Sequence, residues 1–286
     1  MLQVSVGALI ALGFIMLVCF ILPIGLFYTF YRLSDSSFKM FGIGAAAFFT
    51  VKFVAELPVN AILEHYWPLA EHHAVYGTYL LLFCPLAFVG VNFAALKLFG
   101  KHFDTTGNVL MYGSGYTALQ NVVEAGMVSF MYFITLWGIR SCGANYVVVS
   151  DADYVSMSDV VSRSNLVTES IYTEMRQLCD MPTIYFVSMC LERLWLIVVY
   201  SAVVLVIWLA ARKSASLSES LTLLGIAFGM RLLAGLPTVL GSLGVISAGW
   251  ISALLIIAIL LADSAAAVLC WRNKLGGEHM NDLPAE

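Results

Sequence analysis

Apolar runs of about twenty residues recur along this chain, and no other feature limits its fold so strongly. Crossing ~30 Å of hydrocarbon takes roughly 20 helical residues. Seven stretches meet that length, at about 4–31, 40–63, 75–99, 108–139, 183–211, 217–236 and 245–271. The composition closes off a water-soluble alternative: 61% of the 286 residues are hydrophobic and only 11% are charged, against about a quarter charged in soluble domains. In lipid every backbone N–H and C=O must be satisfied internally, and runs of this length do so as helices. The expected fold class is all-α, a polytopic membrane helix bundle of about seven transmembrane helices. Its surroundings are the lipid bilayer and its location the cell membrane. The sixth run is the least regular, because Gly235, Pro237, Gly241 and Gly244 interrupt its far end.

Basic residues near the ends of the runs set the expected orientation. Arg32, Lys39, Lys97, Lys101, Arg212, Lys213, Arg272 and Lys274 fall on one side, and Arg140, Arg163 and Arg176 on the other. That places the N-terminus outside and the C-terminus in the cytoplasm. The first run lacks a basic start and is too long for a signal-peptide core, so it reads as a true first helix. The chain reads as a single integral membrane domain over 1–286, with an extracytoplasmic loop at about 141–182. Acids collect in that loop (Asp151, Asp153, Asp159, Glu169, Glu174, Asp180). Within it Val167, Ile171, Met175 and Leu178 recur at helical spacing, which predicts a helix over about 161–178. No basic stripe and no phosphate-binding glycine loop is present, so nucleic acid and nucleotide are excluded as expected partners. No cofactor is expected.

Two peripheral features invite a chemical reading. Cys142 and Cys179 stand at the two ends of the loop, where an oxidising exterior permits a disulfide across its base. His65, His72 and His73, with Glu64 and Glu71, lie in one short turn and offer a weak divalent-metal site. The flanking Tyr66 and Trp67 fit an ordinary interfacial turn better, and no metal is expected.

Seven ionisable residues fall inside the runs: Lys52, Glu56, Glu124, Glu192, Arg193, Arg231 and Asp263. A charge at a helix centre costs at least ~2.5–3.5 kcal/mol, so such residues face partners or wet cavities. Lys52 and Glu56 are spaced to pair on one helix, and Asp263 is expected to reach Arg231 as a second intramembrane ion pair. Glu124 is different. It follows Gln120 by four residues and Asn121 by three, so the polar groups share or border one face. Gly113, Ala118, Ala125 and Gly126 would let another helix approach closely. On the next run Arg193, directly after Glu192, is placed to satisfy a carboxylate on a neighbouring helix.

Several blocks together resemble the YhfC family of glutamic-type intramembrane proteases. That family is grouped with the CPBP and PrsW proteases and, more distantly, the Aph subunit of γ-secretase. The blocks are ILPIGLFYTFYRL at 21–33, FGIGAAAFFTVKFVAELPVN at 41–60, YGSGYTALQNVVEAG at 112–126 and LERLWLIVVYSAVVLVIW at 191–208. The resemblance implies catalytic roles for Glu124 and Glu192, supported by Gln120, Asn121, Arg193 and Tyr200. It also exposes losses. The Glu-Glu-x-x-Arg motif expected on the third run is replaced by AFVGVNFAALK at 87–97. Gln120 and Tyr200 stand where histidines are expected, and LLGIAFGMRL at 223–232 carries no histidine. Glutamine cannot transfer a proton, and tyrosine, with an ordinary pKa of ~10, is a poor base near neutrality.

Three readings follow. The chain is a catalytically eroded member of that protease fold, a pseudoenzyme that binds a transmembrane helix of a substrate or partner. Alternatively it is an active intramembrane endopeptidase, a hydrolase using Glu124 and Glu192. The third reading is a small transporter or channel lined by the intramembrane charges. The eroded member is favoured, because four expected motif positions are substituted.

Overall fold

Proline shapes three of the seven spans. The computed structural model describes residues 4–33, 36–68, 71–100, 105–142, 147–149, 166–242 and 249–275. It contains seven helices long and apolar enough to cross a membrane. The first five spans run Val6–Arg32, Phe38–Tyr66, His73–Leu98, Thr106–Ser141 and Thr183–Lys213. The sixth and seventh helices are Leu217–Ser242 and Gly249–Leu275. In each of the first three, a π-helical segment ends two residues before a proline. These are Leu17–Ile21 before Pro23, Thr50–Glu56 before Pro58 and Tyr79–Phe83 before Pro85. Proline has no N–H to donate and its ring crowds the carbonyl four residues back. Widening the preceding turn relieves that crowding without unwinding the helix. The fourth span widens at Val122–Gly126 with no proline, and this turn carries Glu124.

The expected break in the sixth span does not occur where its glycines and proline suggest. The helix continues through Pro237 to Ser242. One missing hydrogen bond costs less in hydrocarbon than several unsatisfied groups in an unwound turn.

The fifth span is the axis of the bundle. Val199, Val203, Val204, Val206 and Ile207 on it are fully enclosed, in one core with Phe48, Phe88, Met111 and Tyr112. By contrast Ile10, Phe14, Leu17 and Ile21 on the first span all stand more than half exposed, as a lipid-facing stripe does. The second and fourth spans cross most closely. A Cβ added at Gly44 would collide with the Tyr112 carbonyl, and one at Gly115 with the Phe41 carbonyl. Gly126 fits against the first span, with Phe20 Cζ at 3.0 Å from where its Cβ would lie. Gly113, also expected at a tight crossing, has only ordinary contact with Ser201. Backbone proximity on the second and fourth spans is what sets the site's geometry.

A second, smaller core gathers Leu9, Leu12, Ile15, Ile139, Leu178 and Phe186. Leu178 belongs to the loop helix Glu169–Asp180, whose apolar edge of Met175 and Leu178 packs there. The helix thus starts later than the spacing predicts and runs two residues further. Before it, Val147–Val149 pairs in parallel with Leu166–Thr168, a short ribbon beside an otherwise all-α bundle. Asp151, Asp153, Asp159 and Arg163 lie outside the described residues, as does the Cys142 side chain. Cys179 is a free thiol, and the expected Cys142–Cys179 clamp involves a side chain outside the described residues.

Candidate functional site

Six of the seven intramembrane ionisable residues line one cavity of about 280 Å³: Lys52, Glu56, Glu124, Glu192, Arg193 and Arg231. They come from the second, fourth, fifth and sixth spans. Gln120, Tyr116 and Tyr200 complete its polar wall, and Phe48, Val51 and Leu196 its apolar one. Two of the widened turns described above sit at this place. Lys52 and Glu56 lie on the widened turn of the second span and Glu124 on that of the fourth. Such turns redirect side chains that a regular helix would aim elsewhere, and they recur at functional sites.

Glu124 is the hub. Its Oε1 accepts from Lys52 Nζ at 3.0 Å, and its Oε2 from Gln120 Nε2 at 3.0 Å and Arg193 Nη1 at 3.2 Å. Lys52 also holds Glu56, at 3.2 Å, so one ammonium joins two carboxylates. The other side of the network runs through Gln120, which donates to the Tyr200 hydroxyl at 3.0 Å. The Tyr79 hydroxyl donates to the Glu56 backbone carbonyl at 3.1 Å, tying the third span to the second. At 24% exposure the Glu124 side chain is half-buried, and Arg193 is 13% exposed. Pairs this enclosed escape much of the solvent screening that weakens surface salt bridges.

Other expected members take different places. Asn121 is buried, but its Nδ2 has no hydrogen-bond partner and does not join Glu124. Glu192 lines the cavity and makes no hydrogen bond or ion pair among the described residues. The expected Arg231–Asp263 pair does not form. The Arg231 guanidinium carbon instead lies 4.8 Å from the Tyr200 ring centre and 5.7 Å from that of Phe88. Asp263 is 1% exposed on the seventh span, with no partner for Oδ2. Arg231 turns toward the aromatic wall because the cation–π faces lie on the cavity side of its helix. His65, His72 and His73 also fail to assemble with Glu64 and Glu71. Among the described residues no group of three metal-ligating side chains converges, and the His65 ring packs edge-on to Tyr66.

Two features of the site were not anticipated. One is the reach of Lys52 to Glu124, across 72 positions of sequence. The other is Asn92, completely buried, which accepts from the Tyr112 hydroxyl at 2.6 Å and donates to the Phe88 carbonyl at 2.7 Å. Asn92 sits within the stretch where the protease motif was sought, and serves there to join the third and fourth spans. The prolines at 23, 58 and 85 were the available signal for widened turns. No local pattern signals a pairing at the distance of Lys52 and Glu124.

The chain is similar to a protein of Bacillus subtilis (strain 168) described as "Uncharacterized membrane protein YhfC". The two are 27% identical over 146 residues, or 49% of this chain and 55% of that protein. The chain thus spans about half the length of the curated relative it matches. This similarity to a membrane protein supports the resemblance to the YhfC family. No family model matches the chain, and no solved structure matches it.

Proposed function

We propose that this chain is a YhfC-type member of the intramembrane-protease fold in which the catalytic constellation has become a fixed charge network. It acts by binding a transmembrane helix of a partner rather than by cleaving one. One observation carries the reading: Lys52, Arg193 and Gln120 together occupy both oxygens of Glu124. A general base needs a lone pair facing the water it activates, and three of the about four that a carboxylate offers are already taken here. Glu124 is instead engaged as a structural anion joining the second, fourth and fifth spans. The neighbours that would move protons are a glutamine and a tyrosine, and neither serves near neutral pH. The binding half of the proposal draws on an apolar groove of about 420 Å³ between the second and third spans. Val59, Leu63, Val75 and Leu82 line it, and it is of a size to seat side chains of an adjacent helix. The proposed topology has the N-terminus outside, the C-terminus in the cytoplasm and the 141–182 segment extracytoplasmic.

A second reading, an active endopeptidase, is favoured by one feature only. The Glu192 carboxylate has no partner among the described residues and lines the same cavity as Glu124. Purified chain reconstituted with transmembrane reporter peptides separates the two. Under the proposal no new peptide ends appear with wild type, and Glu124→Gln lowers thermal stability while Glu192→Gln has little effect on it. Reporter cleavage that disappears in Glu192→Gln, with the variant still folded, would overturn it.

A further inference from the structure

Pairing the cavity's charges leaves two residues over. Lys52 serves Glu56 and Glu124, and Arg193 serves Glu124. Neither Arg231 nor Glu192 makes an ion pair among the described residues. The Nε of Arg231 is shut off from solvent without a hydrogen-bond partner, while the side chain as a whole borders the cavity. A buried guanidinium is costly unless its donors are used. Stacking against Tyr200 and Phe88 holds its plane but satisfies none of its N–H groups.

Two further donors face the same space. Tyr116 is 3% exposed and its hydroxyl makes no hydrogen bond among the described residues, though the residue lines the cavity. Tyr200 is 2% exposed; its oxygen accepts from Gln120, which leaves its own proton to give. The two rings lie 5.8 Å apart, centre to centre. A guanidinium and two phenols therefore stand at one wall with donors to spare, and no acceptor among the described residues takes them.

We propose that this wall binds the carboxylate of a small monoanionic ligand. Arg231 supplies the charge-assisted contact and Tyr116 and Tyr200 the neutral donors. The chemistry chooses a carboxylate over a phosphate. Arg231 is the one cation of the cavity in no ion pair among the described residues, so a monoanion is matched better than a dianion. Glu192 in the same cavity repels any anion, and a dianion about twice as strongly as a monoanion. Phe48, Val51 and Leu196 give the ligand's body an apolar place, and about 280 Å³ limits it to a few carbon atoms or one ring. The inference does not depend on whether the bundle cuts or binds a helix, and its failure would leave the reading of Glu124 untouched.

Titration calorimetry on the detergent-solubilised full chain tests it, with benzoate and butyrate as probes and methyl benzoate and inorganic phosphate as controls. Saturable binding of the carboxylates is expected, with none of the neutral ester and weaker binding of phosphate. Arg231→Gln should weaken benzoate binding roughly tenfold to hundredfold, the usual worth of a charge-assisted hydrogen bond. Tyr116→Phe, which removes one hydroxyl, should weaken it several-fold. Absence of saturable carboxylate binding overturns the proposal. So does tighter binding of phosphate than of benzoate, or wild-type affinity in a monodisperse Arg231→Gln protein. Should that variant not fold, Tyr116→Phe decides: weaker binding supports the site and unchanged binding overturns it.

Discussion

The cavity and the seventh span treat buried acids in opposite ways. In the cavity Glu124 accepts from two cations and an amide contributed by three spans. On the seventh span Asp263 is more fully enclosed, at 1% exposure, and has no hydrogen bond or ion pair among the described residues. Enclosure alone therefore does not identify a site here. What separates the two acids is convergence: a crossing close enough for carbonyl-to-glycine contact brings the second span's Lys52 to the fourth span's Glu124. Among the described residues no Lys or Arg makes an ion pair with Asp263.

The largest expected effect comes from removing the hub. Glu124→Gln strands Arg193 and halves the work of Lys52, and should destabilise the protein by about 3 kcal/mol. Thermal unfolding in detergent would show it, and a change below about 1 kcal/mol would mean the network is not structural. Next in size is the coupling between its members. A double-mutant cycle on Glu124→Gln and Arg193→Met should give an interaction energy of about 1–2 kcal/mol. Asp263→Asn should act with the opposite sign, stabilising by about 1 kcal/mol because a poorly satisfied buried acid loses its charge at nearly constant volume. A loss of stability there would erase the contrast, since it would require a partner for Asp263. Smallest is the expected coupling of Asp263→Asn with Arg231→Met, which should add to within about 0.5 kcal/mol. A larger deviation would restore the ion pair that sequence spacing suggests.

How far the sequence could be read differs between fold and site for a physical reason. The spans were legible because membrane thickness imposes a length on every apolar run, so residues 4–31 and 40–63 announce helices without tertiary information. Local pairs were legible too: Lys52 with Glu56 and Gln120 with Glu124 follow from the helical repeat alone. Arg193 was visible as a cation beside an acid on the next helix. The pairing of Arg231 with Asp263 was expected only because the two lie on neighbouring spans. Rotation about each helix axis decides whether they meet, and rotation is set by packing.

The sequence by itself determined a multi-pass helical protein and the identity of its buried charges, since hydrocarbon makes open backbone and charged side chains costly enough to stand out. Tertiary structure alone decided which of those charges meet. Gly44 and Gly115 draw two backbones together, and the widened turns at Thr50–Glu56 and Val122–Gly126 rotate Lys52 and Glu124 into one cavity. Those are relations between surfaces far apart in the chain, and no local pattern of residues encodes them.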